Sequence, residues 1–167
     1  MHFAVRSHND SFPGRRPAGP AAPQPPEIHV QPFHLESITA GADCAVLRVR
    51  GEIDVYTAPR LREHAIKLLA DGARHITADL REVDFLDSTG LGALVGSLKR
   101  LREQDGSLTL VTAADRILTI FRLTWLDRVF ALRSSVPEAI GGDQHWQAAL
   151  ARDGRSAEDW CRDYGLL

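Results

Sequence analysis

A chain of 167 residues that is 44% hydrophobic and 25% charged has the make-up of an ordinary globular domain with appendages. A formal net charge of −2 and a pI near 6.4 exclude a nucleic-acid binder that works through bulk positive charge. Cys44 and Cys161 give neither a disulfide framework nor a metal-ligand spacing, which suits a reducing cytoplasm. No apolar run reaches membrane-span length, and the N-terminal residues lack the apolar core of a secretory signal.

In chain order, residues 1–31 carry Pro13, Pro17, Pro20, Pro23, Pro25 and Pro26 among Gly, Ala, Arg and Ser. Such a stretch buries too little apolar surface to offset its ordering entropy, and it reads as a disordered tail. One folded domain is expected over 32–141. Phe33 to Ile38 alternates apolar and polar residues as a half-buried strand does. Gly41-Ala42-Asp43 then turns into a second strand, Ala45 to Arg50, antiparallel to the first. Gly51-Glu52-Ile53-Asp54 is expected to leave the sheet, and Thr57 to cap a helix that admits Pro59 in its first turn. Leu61, Ala65, Leu68 and Leu69 form the buried stripe of that helix, and Asp71-Gly72 ends it. A third strand, His75 to Leu80, calls for a right-handed parallel crossover.

From Ser88, the expected N-cap, a helical pattern runs to about Gln104-Asp105-Gly106, with Leu91, Leu94, Val95, Leu98 and Leu101 on one stripe. Ser88, Gly92 and Gly96 recur on another face that is almost free of side chains. Two readings of that face stand: tight packing of the helix on its own sheet, or a smooth docking surface with a hydroxyl at its rim. Ser107 to Val111 is a fourth strand, Arg116 to Thr124 a third helix, Val129 to Leu132 a short last strand, and Pro137 to Ile140 opens a further helix. Strands alternating with helices after a leading hairpin give an α/β fold, with helices packed against a mixed sheet. Residues 142–167 read as a C-terminal extension of helical character. Ser156-Ala157-Glu158-Asp159 resembles a capping box there, and Trp160, Tyr164 and Leu167 share a face. These aromatics either cover the domain's own surface or meet a partner.

Chemistry candidates are few. The histidines at 2, 8, 29, 34, 64, 75 and 145 are scattered without ligand spacing, so no metal site is expected. Ser88 lies outside any Gly-x-Ser-x-Gly elbow, no P-loop is present, and Asp84 and Asp87 beside one serine make neither a dyad nor a metal cage. The chain reads as no enzyme and as needing no cofactor. What Ser88 offers is a place for phosphate, which adds a charge of about −1.5 to −2. A helix N-terminus favours such an anion by roughly 0.3–1 kcal/mol, so the fold should tolerate it. A partner docked on the Gly92/Gly96 face would instead have to bury an unpaired dianion beside Asp87.

Gly51-Glu52-Ile53-Asp54, Thr57-Ala58-Pro59 and Asp87-Ser88-Thr89-Gly90-Leu91-Gly92 together resemble the motifs of the STAS domain, and more narrowly those of bacterial anti-sigma factor antagonists. Leu126-Asp127-Arg128-Val129-Phe130 is similar to the family's stretch entering its last strand, and the resemblance covers about residues 32–140. It implies a four- to five-stranded mixed sheet packed with about four helices, and no catalytic activity. It also implies partner switching. An antagonist binds an anti-sigma factor, a serine kinase with a histidine-kinase-like ATPase fold, and so frees a sigma factor. The kinase phosphorylates the serine after the motif's Asp, here Ser88, and a serine phosphatase resets it.

Asp54 matches the family's acidic residue beside the phosphorylation site, where it either positions the kinase or caps the next helix. Trp125 stands where members commonly carry Gly. A bulky residue at positive φ would be strained, so the local loop is expected to differ. The expected partner surface is Asp54, Asp87, Ser88, Thr89, Gly90, Gly92 and Gly96, with Ser88 as phosphate acceptor and Thr89 as the second candidate. No contact with nucleic acid or membrane is expected, and the cytoplasm is the expected location. The alternatives are a STAS scaffold without phospho-control and a ligand- or lipid-handling STAS module, in a sensory or transport assembly.

Overall fold

The computed structural model describes Pro23 and residues 31–167; the rest of the proline-rich tail lies outside the described residues. His34–Ala40 (β1) and Cys44–Ile53 (β2) form an antiparallel hairpin, with Gly41 at φ 61° in its turn. Ala58–Ala70 (α1) leads to His75–Leu86 (β3), which joins β2 in parallel. Ser88–Arg102 (α2), Ser107–Val111 (β4), Asp115–Leu123 (α3), a 3-10 turn at Leu126–Arg128 and Ala131–Arg133 (β5) come next. Val136–Gly141 (α4), Gln144–Arg152 (α5) and Ala157–Asp163 (α6) complete the chain. The sheet runs in the order β1-β2-β3-β4-β5, with β1 antiparallel and the other pairings parallel. The fold is the expected α/β arrangement around a five-stranded mixed sheet.

β2 is buried on both sides, so it alternates between two cores. Ala45, Leu47 and Val49 meet α1, α2 and α3 through Leu61, Leu68, Leu94 and Phe121, while Cys44 and Val46 meet α4, α5 and α6 through Ile140, Trp146 and Trp160. A sheet carrying parallel strands needs cover on both faces, and the C-terminal helices supply the second cover. Trp146 and Trp160 meet edge to face at 5.3 Å. Trp146 and Trp160 therefore cover the domain's own surface, whereas Tyr164 stays 43% exposed. Ser156 caps α6, accepting the Asp159 N–H at 3.1 Å. The residue sharing the buried side with Trp160 is Leu166 and not Leu167, which is 60% exposed. Gly165, at φ 65°, turns the chain out of the helix and carries Leu166 inward. Two arginines hold this end. Arg48 Nη2 donates to the Tyr164 and Gly165 carbonyls at 3.3 and 2.5 Å, and Arg81 Nη2 donates to the Leu166 carbonyl at 2.9 Å. Arg81 is itself braced by Asp79. These carbonyls lie just past a helix end, where backbone acceptors otherwise lack partners.

Three boundaries differ from expectation for identifiable reasons. The Gly51–Asp54 stretch stays in the sheet as far as Ile53, because register shifts between Arg48 and Arg50 and between Gly51 and Glu52 let β2 follow β3. Gly51 sits at φ 86°, and a Cβ there would lie 2.8 Å from the Gln31 carbonyl oxygen. β3 runs past Leu80 to Leu86, where the polar residues Arg81, Glu82 and Asp84 hide the strand from an apolar pattern. The last strand begins later than Val129, since the 3-10 turn consumes the residues before it; Phe130 then packs edge-on against Phe121 at 5.7 Å. Trp125 does adopt the left-handed conformation, at φ 60°, so the loop keeps the backbone that a glycine would favour. The Arg128 guanidinium lies 4.3 Å from the centre of its exposed ring.

Candidate functional site

Because β2 and β3 are parallel, the segments leaving their carboxyl ends meet at one end of the sheet. Ile53 pairs with Leu86, and the Asp87 N–H donates to the Ile53 carbonyl at 3.2 Å. The loop of residues 54–57 and the start of α2 are thereby stitched together. The carboxyl ends of parallel strands are where α/β folds present their sites.

The loop is built by Asp54. Its Oδ1 accepts the N–H groups of Thr57 at 3.0 Å and Tyr56 at 2.9 Å, and these bonds, the one from Thr57 foremost, hold its carboxyl below the usual range. Thr57 occupies the N-cap position of α1, yet its side chain does not cap. Its hydroxyl donates to the Glu52 carbonyl at 2.7 Å and accepts the Asp54 N–H at 2.9 Å. Asp54 thus shapes the turn, and the turn leaves Val55 56% and Tyr56 84% exposed. Phe85, paired with Glu52 across the strands, is also exposed. The motifs single out none of these three apolar residues. No local signal marks them: Ile53 stands two residues before Val55 and Val83 two before Phe85, so both continue a strand-like alternation.

At the start of α2 the expected cap is displaced by one residue. Asp87, extended at φ −100° and ψ −177°, takes the N-cap and accepts the Gly90 N–H at 2.9 Å. Either residue type can cap, and here the carboxylate does so, leaving Ser88 exposed as the first helical residue. Thr89 is half-buried. Gly90, expected on the partner surface, faces inward instead. A Cβ there would lie 2.6 Å from Leu86 Cδ1 and 2.8 Å from the Ile53 carbonyl oxygen, so this glycine serves close packing of α2 on the sheet. Gly92 and Gly96 are different: a Cβ at either would meet nothing within 4 Å. Tight packing of that face is therefore overturned, and the face is open. Further along α2 a shallow groove of about 470 Å³ is lined by Val95, Leu98, Lys99, Arg102, Glu103 and Val129. Asp84, the other acidic residue considered, is exposed and lies 3.7 Å from Arg116.

The sequence model of the STAS domain family matches residues 37–139. The chain belongs to the STAS domain family. It is similar to the anti-sigma-B factor antagonist of Staphylococcus aureus (strain NCTC 8325 / PS 47), with 44% identity over 80 residues, 48% of this chain and 74% of that one. The anti-sigma-B factor antagonist of Bacillus subtilis (strain 168) is 42% identical over 80 residues, 48% of this chain and 72% of that one. A crystal structure of an anti-sigma factor antagonist from Mycobacterium paratuberculosis is 28% identical and superposes with a TM-score of 0.60, covering 65% of this chain and 92% of that one. Within the family, this STAS protein falls with the anti-sigma factor antagonists. Among the described residues, no helix is long and apolar enough to cross a membrane.

Proposed function

We propose that this STAS protein binds an anti-sigma factor at the end of the sheet where β2 and β3 finish, and that phosphorylation of Ser88 ends the complex. One observation carries the reading: an exposed serine opens α2 beside a helix face that glycine leaves open. Val55, Tyr56 and Phe85 add exposed apolar surface in the adjoining segments, as a docking site requires. The partner in this reading is an anti-sigma factor of the serine-kinase type, with a histidine-kinase-like ATPase fold, and a serine phosphatase resets the switch in the cytoplasm. Asp54 serves the kinase by holding the flanking turn in shape. Asp87, Thr89, Gly92 and Gly96 complete the contact surface.

The capping geometry sharpens the physics of the switch. Asp87 already bonds the Gly90 amide, so a phosphoryl group on Ser88 would share the helix N-terminus with a carboxylate. The exposed site lets water and the free amides of the first turn accommodate both charges. A docked partner would remove the water and bury both, and each 1.4 kcal/mol lost costs about tenfold in affinity.

The test is intact-mass measurement after incubation with Mg-ATP and a serine-kinase anti-sigma factor from the same genome. Wild type and Thr89→Ala are expected to gain one phosphoryl group and Ser88→Ala none. Phosphate on Ser88→Ala but not on Thr89→Ala would move the acceptor to Thr89. No uptake by any of the three would remove the switch.

A further inference from the structure

At the opposite end of the sheet, three side chains distant in sequence converge. Asp43 ends the turn between β1 and β2, His75 opens β3, and His145 lies in the first turn of α5. One carboxylate oxygen and one ring nitrogen from each histidine lie within 4.8 Å of one another. The two imidazoles stack at 3.6 Å with 7° between their planes. His75 is buried, and its Nδ1 sits 2.9 Å from the Ser107 hydroxyl. An imidazole whose Nδ1 is engaged in this way presents Nε2 as its ligand atom, and such an outer hydrogen bond is the usual companion of a metal-bound histidine. The turn bearing His145 is anchored as well, since Asp143 caps α5 by accepting the N–H groups of His145 and Trp146 at 2.8 and 3.2 Å.

We propose that Asp43, His75 and His145 form a binding site for a divalent metal of the class of Zn²⁺, which fastens the C-terminal helices to the amino ends of the central strands. Two imidazoles and one carboxylate are a donor set that zinc accepts, with a fourth position left for water. Neighbouring buried Cys44 is not among the side chains that converge there. A tetrahedral ion with bonds of about 2.0–2.2 Å spaces its ligand atoms roughly 3.4 Å apart, so the cluster closes on an ion by side-chain rotation. The stacked rings must splay to do so, and exposed His145 is free to turn. Half-buried Asp43 and exposed His145 leave the ion a way in. The ion would join the β1–β2 turn, β3 and α5, elements that no local sequence signal links.

The test is titration of the chelator-treated full chain with Zn²⁺, monitored by calorimetry and by thermal unfolding. His145→Phe keeps a ring against His75 but has no nitrogen, Asp43→Asn removes the carboxylate charge, and His64→Ala alters a histidine on α1 outside the cluster. Wild type and His64→Ala are expected to bind one ion and to melt at a higher Tm with it. His145→Phe and Asp43→Asn should each bind at least about tenfold more weakly, with the Tm rise lost in His145→Phe. Any weaker sites supplied by His2, His8 or His29 would persist in the variants and so stand apart. Undiminished affinity in His145→Phe, or no binding by wild type, overturns the proposal.

Discussion

Two sets of aromatic residues in this protein meet opposite fates. Trp146 and Trp160 are 1% and 2% exposed, sealed between the sheet and the C-terminal helices, whereas Tyr56 and Phe85 are 84% and 48% exposed beside Ser88. The difference comes from where the fold needs cover. A sheet buried on both faces requires two layers of helices, and α4, α5 and α6 form one of them, so their aromatics are structural. The carboxyl ends of the strands need no such layer. Apolar side chains left there are not used by the domain itself, which is why they fit a surface for a partner.

The comparison can be broken from either side. The largest effect is expected from Trp160→Ala, which removes a buried indole that packs against Trp146. It should cost about 3–5 kcal/mol in urea unfolding. A loss below about 1 kcal/mol would show that the C-terminal helices are an appendage and not a second core layer.

A smaller and more pointed contrast lies within α2. Gly90→Ala should cost about 1–3 kcal/mol, because the added methyl meets the Ile53 carbonyl, which is backbone and cannot step aside cheaply. Gly92→Ala adds the same methyl to open space and should stabilise the helix by up to about 1 kcal/mol. If the outer face docks a partner, the same substitution should weaken the complex while raising Tm. Equal stability effects at the two positions would remove the distinction between the inner and outer faces of α2.

Much of this fold is legible from local pattern. Ser107–Val111 is a continuous strand signal and is found with those bounds. Leu61, Ala65 and Leu68 share one helical stripe and are all buried. What local pattern misses depends on neighbours. Asp87 and Ser88 are adjacent residues that can both cap, and only the backbone decides between them. Gly90, Gly92 and Gly96 are identical letters, yet one faces the Ile53 carbonyl and two face open space. Extrapolating α6 to Leu167 fails because Gly165 turns the chain at φ 65°. At the Ser88 end, Asp54, Asp87 and Ser88 could be picked out from their motifs, and the structure places them at one end of the sheet. Val55, Tyr56 and Phe85 could not, since exposure is a property of the assembled strand ends. His75 and His145 lie too far apart in sequence for any ligand-spacing rule, and only the docking of α5 brings them together.

The most direct measurement is the affinity of the full chain for a serine-kinase anti-sigma factor before and after stoichiometric phosphorylation, by calorimetry, with Ser88→Glu alongside. Phosphorylated protein should bind roughly a hundredfold more weakly or worse, a loss of about 3 kcal/mol, with Tm nearly unchanged. Equal affinity in the two forms would contradict a switch at Ser88.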